Sequence, residues 1–444
     1  MRLISIQDRR NKFEFSTSQL AKFAGYASAL IGVQRILLND FYSLVCIVPY
    51  LAAFMLNKKD LALRNSMLIL ALYLSVDQGA ETYSETPAPI RYLIYLTILY
   101  IFVNEMRFSL EKLKIFLFCI FVWLVLAILN LEFINYDTLL KDLLILFLVG
   151  IVTVMSDDSV RLFRIDLQFL AYAILVVLFA ELLQIATVFD YRIYGYLSYD
   201  STKFLLVLPA VYFICEGRTL AFVVSTFLIG YVLLLYGTRM IPLAFLTALL
   251  VYLIPRAGNG NKHAFAILAL FVSVIWFFTV NLIEISEFKL ISSFVRALDG
   301  SSISAFFRLL DPIRYGELEL LFSRSFFEIL VGSGPGTGIV DQTGIMSLVS
   351  VHQTAFDEQE LRSGIFFGFH DIWTDFGVRF GLIAVFLIYA YLTKQIVSNK
   401  NNKCTISIMA FMAVTCAFFS TSGLILCTYI FLALRSSLTS DEIG

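Results

Sequence analysis

Long apolar runs, separated by short charged clusters, constrain the fold of this chain more than any other feature of its sequence. Of its 444 residues, 59% are hydrophobic and only 15% are charged, which is more apolar surface than one water-soluble core can hide. Because lipid offers no partner for backbone N–H and C=O groups, a chain that crosses a bilayer must form helices or a closed barrel. The runs are continuous and do not alternate, so the sequence predicts membrane-spanning helices.

The apolar runs predict an all-α, polytopic integral membrane protein with about 12 to 14 transmembrane helices. Residues 1–281 hold predicted transmembrane helices 1 to 11, residues 282–378 form one large and mostly helical loop, and residues 379–444 hold the C-terminal transmembrane helices. The predicted spans are residues 19–37, 41–56, 64–77, 89–104, 114–131, 138–155, 167–188, 203–215, 219–236, 240–254, 264–281 and 379–396, followed by residues 405–434, which divide near Ser420 to Gly423.

The positions of the basic residues orient the predicted helices. Lys and Arg concentrate in short cytoplasmic loops. With the spans given above, the short loops of this chain alternate between basic and non-basic, so the basic residues fall on one side of the membrane. The opposite short loops, such as residues 131–137, carry acids and almost no basic residues. Both termini are therefore predicted to be cytoplasmic, and the large loop to lie outside. The basic residues on the cytoplasmic side are Arg2, Arg9, Arg10, Lys12, Lys58, Lys59, Arg107, Lys112, Arg161, Arg164, Arg218, Arg256, Lys262, Lys400, Lys403 and Arg435.

The overall charge gives no argument for a nucleic-acid partner. The net charge is −1 and no basic tail is present, whereas nucleic-acid binding leaves a strongly basic footprint. Partners must therefore be argued from sites.

The large loop contains the residue types that a reactive site would use. Glycines at 332, 334, 336 and 338 follow an apolar stretch, and such a turn either presents several N–H groups to a phosphate or is simply exposed. Further along, His370 precedes Asp371, and this histidine is either a proton acceptor or a structural hydrogen-bonding group. The sequence alone leaves both alternatives open.

In order along the chain, these elements resemble a known family. Gly237-Thr238-Arg239 stands at a span boundary, and the stretches 308–322, 330–336 and 370–383 follow it. This order is similar to that of the bacterial O-antigen ligase and O-antigen polymerase (Wzy-type) superfamily, whose members carry an arginine outside a membrane helix and a loop of the form Arg…Gly-x-Gly-x-Gly…His-Asn. Two positions depart from it: Asp371 stands where Asn is usual, and Ala384 stands where a second glycine often follows.

The resemblance implies a fold and an activity. The fold would be GT-C-like, in the bacterial inner membrane, with the large loop in the periplasm. The activity would be metal-independent glycosyl transfer, without a cofactor, from an undecaprenyl-diphosphate-linked oligosaccharide to a sugar hydroxyl. We expect an O-antigen polymerase of lipopolysaccharide biosynthesis that acts together with a regulator of chain length. A ligase that transfers the chain to lipid A core remains an alternative, as does a flippase of lipid-linked oligosaccharides.

The resemblance also assigns roles to individual residues. The leaving diphosphate gains negative charge, which the planar guanidinium of Arg239 would neutralise, although interfacial snorkelling explains an arginine there equally simply. The acceptor hydroxyl must lose a proton, and His370 is the expected base, with Glu317, Glu319 and Asp375 as alternatives. The expected substrate-binding residues are Arg308, Arg314, Arg324, Asp371, Gly334 and Gly336.

Overall fold

The chain is mostly helical. The computed structural model describes residues 16–31, 45–56, 60–75, 88–105, 107–187, 201–236, 240–261, 264, 312–342, 344–346, 358–369, 372–398, 403–416 and 421–439. The helices before the large loop are α1 (Thr17–Ile31), α2 (Ile47–Leu56), α3 (Leu61–Ser75), α4 (Ala88–Glu105), α5 (Leu110–Leu129), α6 (Tyr136–Val154), α7 (Asp157–Val160), α8 (Leu167–Thr187), α9 (Leu208–Cys215), α10 (Thr219–Tyr236) and α11 (Met240–Gly258).

The remaining elements lie in the large loop and after it. Earlier in the chain, the described residues also form 3-10 segments at Leu131–Phe133, Arg161–Phe163 and Ser201–Val207. The later helices are α12 (Pro312–Phe322), α13 (Phe326–Val331), α14 (Glu358–Ser363), α15 (Ile372–Ser398), α16 (Lys403–Cys416) and α17 (Thr421–Thr439), and the strands are β1 (Ile339–Val340) and β2 (Ile365–Phe366).

In the part of the chain that the structure describes, three helical segments are long and apolar enough to cross a membrane: Leu110–Leu129, Asp157–Ala180 and Thr374–Ser398. Within the described residues, the other apolar helices are shorter, as in Ile47–Leu56 and Leu61–Ser75. A full span needs roughly 20 residues. The predicted helical class is confirmed, and these three segments are consistent with a membrane protein. The number of 12 to 14 spans remains a prediction.

Helix α3 lies in the middle of the helix bundle, and α5 lies at its periphery. Every residue of α3 from Leu63 to Ser75 is buried, which is typical of a helix that is surrounded by other helices. Helix α5 exposes large side chains such as Ile115, Phe118 and Phe121. An apolar helix with so little buried surface is stable in lipid and unfavourable in water.

Local sequence signals fix several helix ends. Asn135 precedes α6, and its side chain accepts hydrogen bonds from the N–H groups of Asp137 and Thr138. Ser325 and Glu328 form a capping box at the start of α13, in which each side chain satisfies a free N–H group at the helix terminus. Helix α12 begins at Pro312, whose fixed φ and missing N–H suit the first helical position.

The described part of the large loop has a small core of its own. Strands β1 and β2 pair antiparallel, with Ile339 opposite Phe366 and Val340 opposite Ile365. The sheet brings the two ends of residues 339–366 together. The buried residues of this core are Leu320, Leu321, Ile339, Met346, Phe366, Phe369 and Val378.

Candidate functional site

A buried ion cluster joins helices α6 and α15. The guanidinium of Arg379 lies between two carboxylates: Nε is 2.7 Å from Asp142 Oδ2, and Nη1 donates to Asp375 Oδ1 over 2.6 Å. The side chains of all three residues are at most 1% exposed. Lys141 adds a second cation, with Nζ 3.3 Å from Asp375 Oδ2. We call Lys141, Asp142, Asp375 and Arg379 the ion cluster.

The ion cluster is electrically balanced. It contains two cations and two carboxylates, so their formal charges cancel. Isolated charges in an apolar interior are very costly, whereas paired and hydrogen-bonded charges are tolerated. Lys141 is the member that reaches the surface, since its side chain is 32% exposed. The ion cluster is therefore a rigid unit with one cation near the surface.

The glycine-rich loop, residues 332–338, packs directly on the ion cluster. The N–H of Gly336 donates to Asp142 Oδ2 over 2.7 Å. The N–H groups of Ser333 and Gly334 donate to carbonyls of α15, those of Val378 and Arg379, over 2.9 and 3.0 Å. The loop is thus tied to both helices that carry the buried charges.

Glycine is required at the closest approaches of this loop. Gly332, Gly334 and Gly336 all have positive φ angles, of 86°, 98° and 78°, which cost little only for glycine. A Cβ at Gly334 would overlap the backbone N of Ala127, and a Cβ at Gly332 would overlap the carbonyl of Arg379. The glycines let backbones of the loop, α5 and α15 meet without side chains between them.

The loop also contacts the short turn between α5 and α6. The Asn130 side-chain amide donates to Ser333 O over 3.2 Å, and the N–H of Asn135 donates to Gly336 O over 3.0 Å. The N–H of Gly338 donates to Phe133 O over 3.0 Å. The charge pattern of the sequence predicts that this turn and the large loop lie on the same, outer side. The contacts bring the two segments together, and their side of the membrane remains a prediction.

A break in helix α15 makes room for the loop. Gly381 has φ 82° and ψ 156° within α15, so the helix is kinked there. A Cβ at Gly381 would overlap the carbonyl of Leu330, at the end of α13. Because α13 runs straight into the glycine-rich loop, the kink brings the loop against the first part of α15, which carries Asp375 and Arg379.

The segment before His370 is anchored to the same ion cluster. Arg379 Nη2 donates to Phe367 O, and the N–H of Phe369 donates to Asp375 Oδ1 over 3.4 Å. From the other side, Glu360 Oε1 accepts from the N–H groups of Phe367 and Gly368, over 2.7 and 3.1 Å. Residues 367–369 are thereby held between α14 and α15.

The structure describes some of the predicted site residues and not others. Arg239, Arg308, His370 and Asp371 lie outside the described residues, so their roles stay predictions. Arg314 is half-buried on α12, and Glu317 on the same helix is fully buried. Asp375, one of the alternative bases, belongs to the ion cluster. Its two carboxylate oxygens are used by Arg379, Lys141 and Phe369.

Arg324 is bound within the protein. Its Nη1 donates to Val378 O over 3.2 Å, and its Nη2 lies 3.4 Å from Glu328 Oε1. Burial lowers the pKa of the Arg324 guanidinium. Burial acts to raise the pKa of Glu328, but the Ser325 hydroxyl and Arg324 outweigh it, and the pKa lies below its ordinary value. In this arrangement Arg324 fixes α13 to α15, and its binding of substrate remains a prediction.

Gly334 and Gly336 have a packing role in the structure. Residues 332–337 are buried, so the alternative of a simply exposed turn is wrong. The N–H groups of Ser333, Gly334, Gly336 and Gly338 all donate to acceptors of the protein. Binding of a diphosphate by these glycines stays a prediction, and it would require some of those bonds to be exchanged.

Sequence reasoning missed three members of the ion cluster: Lys141, Asp142 and Arg379. Their position was the available signal. A charged residue inside an apolar span costs free energy to insert into a membrane and usually marks a functional site. Lys141 and Asp142 stand inside the predicted span 138–155, and Arg379 stands at the first residue of the span 379–396. Their pairing could not be read from the sequence.

Three buried polar atoms at this site have no hydrogen-bond partner among the described residues: Oδ1 of Asp142, the hydroxyl of Ser333 and Nε of Arg379. The contact of Arg379 Nε with Asp142 Oδ2 is an ion pair. Buried polar atoms are normally hydrogen-bonded to protein or to ordered water. The free oxygen of Asp142 can accept a hydrogen bond from a small hydroxyl group.

No metal site is seen in the described part of the chain, where no group of three or more His, Cys, Asp or Glu side chains is placed to hold an ion. Metal independence remains a prediction.

Comparison with known protein families, with curated proteins and with solved structures finds no match for this chain. The fold and site thus define a helical protein that has three candidate membrane-spanning helices among its described residues and a buried ion cluster at the base of a glycine-rich loop.

Proposed function

We propose that this protein is an O-antigen polymerase of the bacterial inner membrane. It would transfer a glycan from undecaprenyl diphosphate to a sugar hydroxyl of another lipid-linked repeat unit at the periplasmic face. Both termini would be cytoplasmic and residues 282–378 periplasmic. The enzyme would need no metal ion or cofactor and would work with a regulator of chain length.

The observation that best supports this proposal is that the ion cluster connects the glycine-rich loop with the segment before His370. The family resemblance gives only the order of these elements along the chain. Asp142 binds the glycine-rich loop through Gly336. Asp375 and Arg379 bind Phe369 and Phe367, just before His370. A transferase that acts on a lipid headgroup needs its loop residues held in fixed positions beside membrane helices, and this cluster is suited to that task.

The proposed reaction needs one bond formed and one broken. The oxygen of the acceptor hydroxyl attacks the anomeric carbon of the donor, and the bond from that carbon to the diphosphate oxygen breaks. His370 takes the proton of the hydroxyl, and Arg239 neutralises the charge that develops on the leaving undecaprenyl diphosphate. The ion cluster acts through positioning and touches neither reacting atom.

The ligase is the second candidate because it would share the donor, the loop and the same chemistry. The two differ in the acceptor, which is lipid A core for a ligase. The long loop and the departures at Asp371 and Ala384 favour the polymerase. A flippase is less favoured, because moving a lipid-linked sugar across a membrane does not require an outer loop of this length.

The polysaccharide of a deletion strain tests the proposal. We expect single repeat units attached to core, resolved as one short band on a gel, and restoration of long chains by the wild-type gene. Bare core together with long lipid-linked chains would instead identify a ligase. Accumulation of lipid-linked units on the cytoplasmic side would identify a flippase and exclude both transferases.

A further inference from the structure

A second feature, separate from the ion cluster, is a cleft between α6, α15 and α17. It has a volume of about 590 Å³, which is within the usual range of ligand-binding pockets. Apolar side chains line most of it, including Ile145 and Val149 of α6, Leu387 of α15 and Phe431 of α17. We call this feature the α6–α15–α17 cleft.

The wall of the cleft offers water few partners. The two threonines in the wall, Thr153 and Thr428, donate to carbonyls of their own helices, Val149 O and Leu424 O, over 2.8 and 2.9 Å. A buried water needs two to four polar partners to be stable, and apolar cavities stay dry. An empty cleft would also forfeit dispersion contacts along its walls. An apolar chain is therefore the favoured occupant.

One end of the cleft carries charge. Among its lining residues, the charged ones are Lys112, Asp157 and Arg435, and the two cations share the single carboxylate. Arg435 Nη2 is 2.6 Å from Asp157 Oδ1, and Lys112 Nζ is 3.6 Å from the same atom. Lys112 is 45% exposed at its side chain, so its ammonium group is accessible to an anion.

The charged end lies where a lipid headgroup would be. The positive-inside pattern assigns Lys112 and Arg435 to the cytoplasmic side, where anionic lipids attract basic side chains. Beside the cleft, the surface remains apolar, with Phe386 and Leu387 exposed on α15. The charge and the apolar lining are thus arranged as a phosphate and an acyl chain require.

We propose that the α6–α15–α17 cleft binds one anionic glycerophospholipid, with an acyl chain along α6 and α17 and its phosphate beside Lys112 and Arg435. This proposal depends on a membrane location and not on the polymerase activity. None of the four residues of the ion cluster lines the cleft, although one lining residue, Phe376, is next to Asp375. The charged end of the cleft lies beyond the C-terminal end of α6, whereas Asp142 is near the start of that helix. Its occupant would stabilise the packing of these helices from the cytoplasmic side.

Binding of defined lipids to the purified full-length chain tests the site. The protein is stripped of lipid in detergent and titrated with phosphatidylglycerol or phosphatidylcholine, and bound lipid is counted by native mass spectrometry. We expect one molecule of phosphatidylglycerol to bind more tightly than phosphatidylcholine. Lys112→Ala should weaken phosphatidylglycerol binding about fivefold, as expected from the loss of one basic residue near an anionic lipid.

Two pairs of variants separate the cleft from the general surface. Lys114→Ala, also exposed on α5 but not part of the lining, is the control for Lys112→Ala and should leave binding unchanged. Val149→Trp fills the cleft and should abolish retention of both lipids. Val224→Trp, at an exposed apolar position of α10, is its control and should not change binding.

Three results would overturn the proposal. The first is equal phosphatidylglycerol binding by the Lys112→Ala and Lys114→Ala proteins, which fold alike because both side chains are exposed. The second is unchanged lipid retention by Val149→Trp. The third is a wild-type protein that retains no lipid and forms a dimer, which the Val149→Trp substitution dissociates. A second copy of the chain would then occupy the cleft.

Discussion

The backbone N–H of Gly336 donates to Asp142 Oδ2 over 2.7 Å, although the two residues are 194 positions apart in the sequence. The same carboxylate oxygen also pairs with Arg379. A single buried acid therefore fixes the glycine-rich loop against α15. Removing the charge of Asp142 should weaken its contacts with both Gly336 and Arg379.

Asp142→Asn should lower the free energy of unfolding by about 3 kcal/mol, because breaking one partner of a buried ion pair leaves the other charge uncompensated. The side chain keeps its size, so the loss reports charge and not packing. Reversible unfolding of the purified protein in detergent measures it. Asp137→Asn, at an exposed position on the same helix, is the control and should change the value by less than about 0.5 kcal/mol.

Gly334→Ala should destabilise the protein more than Gly217→Ala. Both glycines have positive φ, 98° and 70°, so both variants carry a backbone cost of about 1 kcal/mol. Only at Gly334 does the added Cβ meet backbone atoms, whereas at Gly217 it meets nothing within 4 Å. The difference in melting temperature between the two variants measures how much the close packing of the loop contributes to stability. Equal decreases in melting temperature would show that this packing contributes nothing.

The stabilising effect of Glu328 should disappear in acid. Its pKa in the folded protein lies below the ordinary value of 4.5, so the folded state favours the ionised form. The stabilisation is then complete above the unfolded pKa and is lost as the pH falls through the folded pKa. Melting curves of wild type and Glu328→Gln should differ near neutral pH and converge well below pH 4.5.

A matched variant shows whether that pH effect belongs to the capping box. Glu319→Gln, at an exposed position of α12, is the control and should leave the melting temperature near neutral pH almost unchanged. Ser325→Ala should cost about 1 kcal/mol near neutral pH, because it removes the side-chain cap of α13. A difference between wild type and Glu328→Gln that persists unchanged at low pH would contradict the assignment.

Arg239→Ala and His370→Ala should each abolish chain extension while the protein still inserts into the membrane. The first removes the guanidinium that we propose stabilises the leaving diphosphate, and the second removes the proposed base. The length distribution of the polysaccharide on a gel, in a deletion strain carrying each variant, is the measurement. His352→Ala, in the same loop but outside the matching elements, should keep long chains. Long chains in either test variant would exclude that residue from the mechanism.

Much of the helical fold could be predicted from the sequence. The predicted span 219–236 coincides with α10, and the stretch 405–434, predicted to hold two helices, contains parts of α16 and α17. Residues 417–420, beside the predicted division, lie outside the described residues. Continuous apolar runs determine such helices locally, since each backbone group bonds within its own segment. The predicted span 264–281 lies outside the described residues, apart from residue 264.

The candidate site was predicted only in part. Gly334, Gly336 and Asp375 were named, and the structure brings all three to the ion cluster. Lys141, Asp142 and Arg379 were not named as functional, and Arg324 was expected at a substrate and is bound to Glu328 and Val378. Which side chains meet across helices depends on packing between distant segments, and a single sequence does not encode that as a local pattern.

By itself, the sequence determined that the chain is helical and apolar enough for a membrane, and it predicted one large loop. These properties follow from hydrophobicity and backbone hydrogen bonding, which act over a few neighbouring residues. Only the tertiary structure decided that the loop is tied down through Gly336 and Asp142, and that Arg379 compensates two buried acids. That outcome follows from the cost of burying charge, because each of these groups is stable in the interior only when a partner from a distant segment is in contact with it.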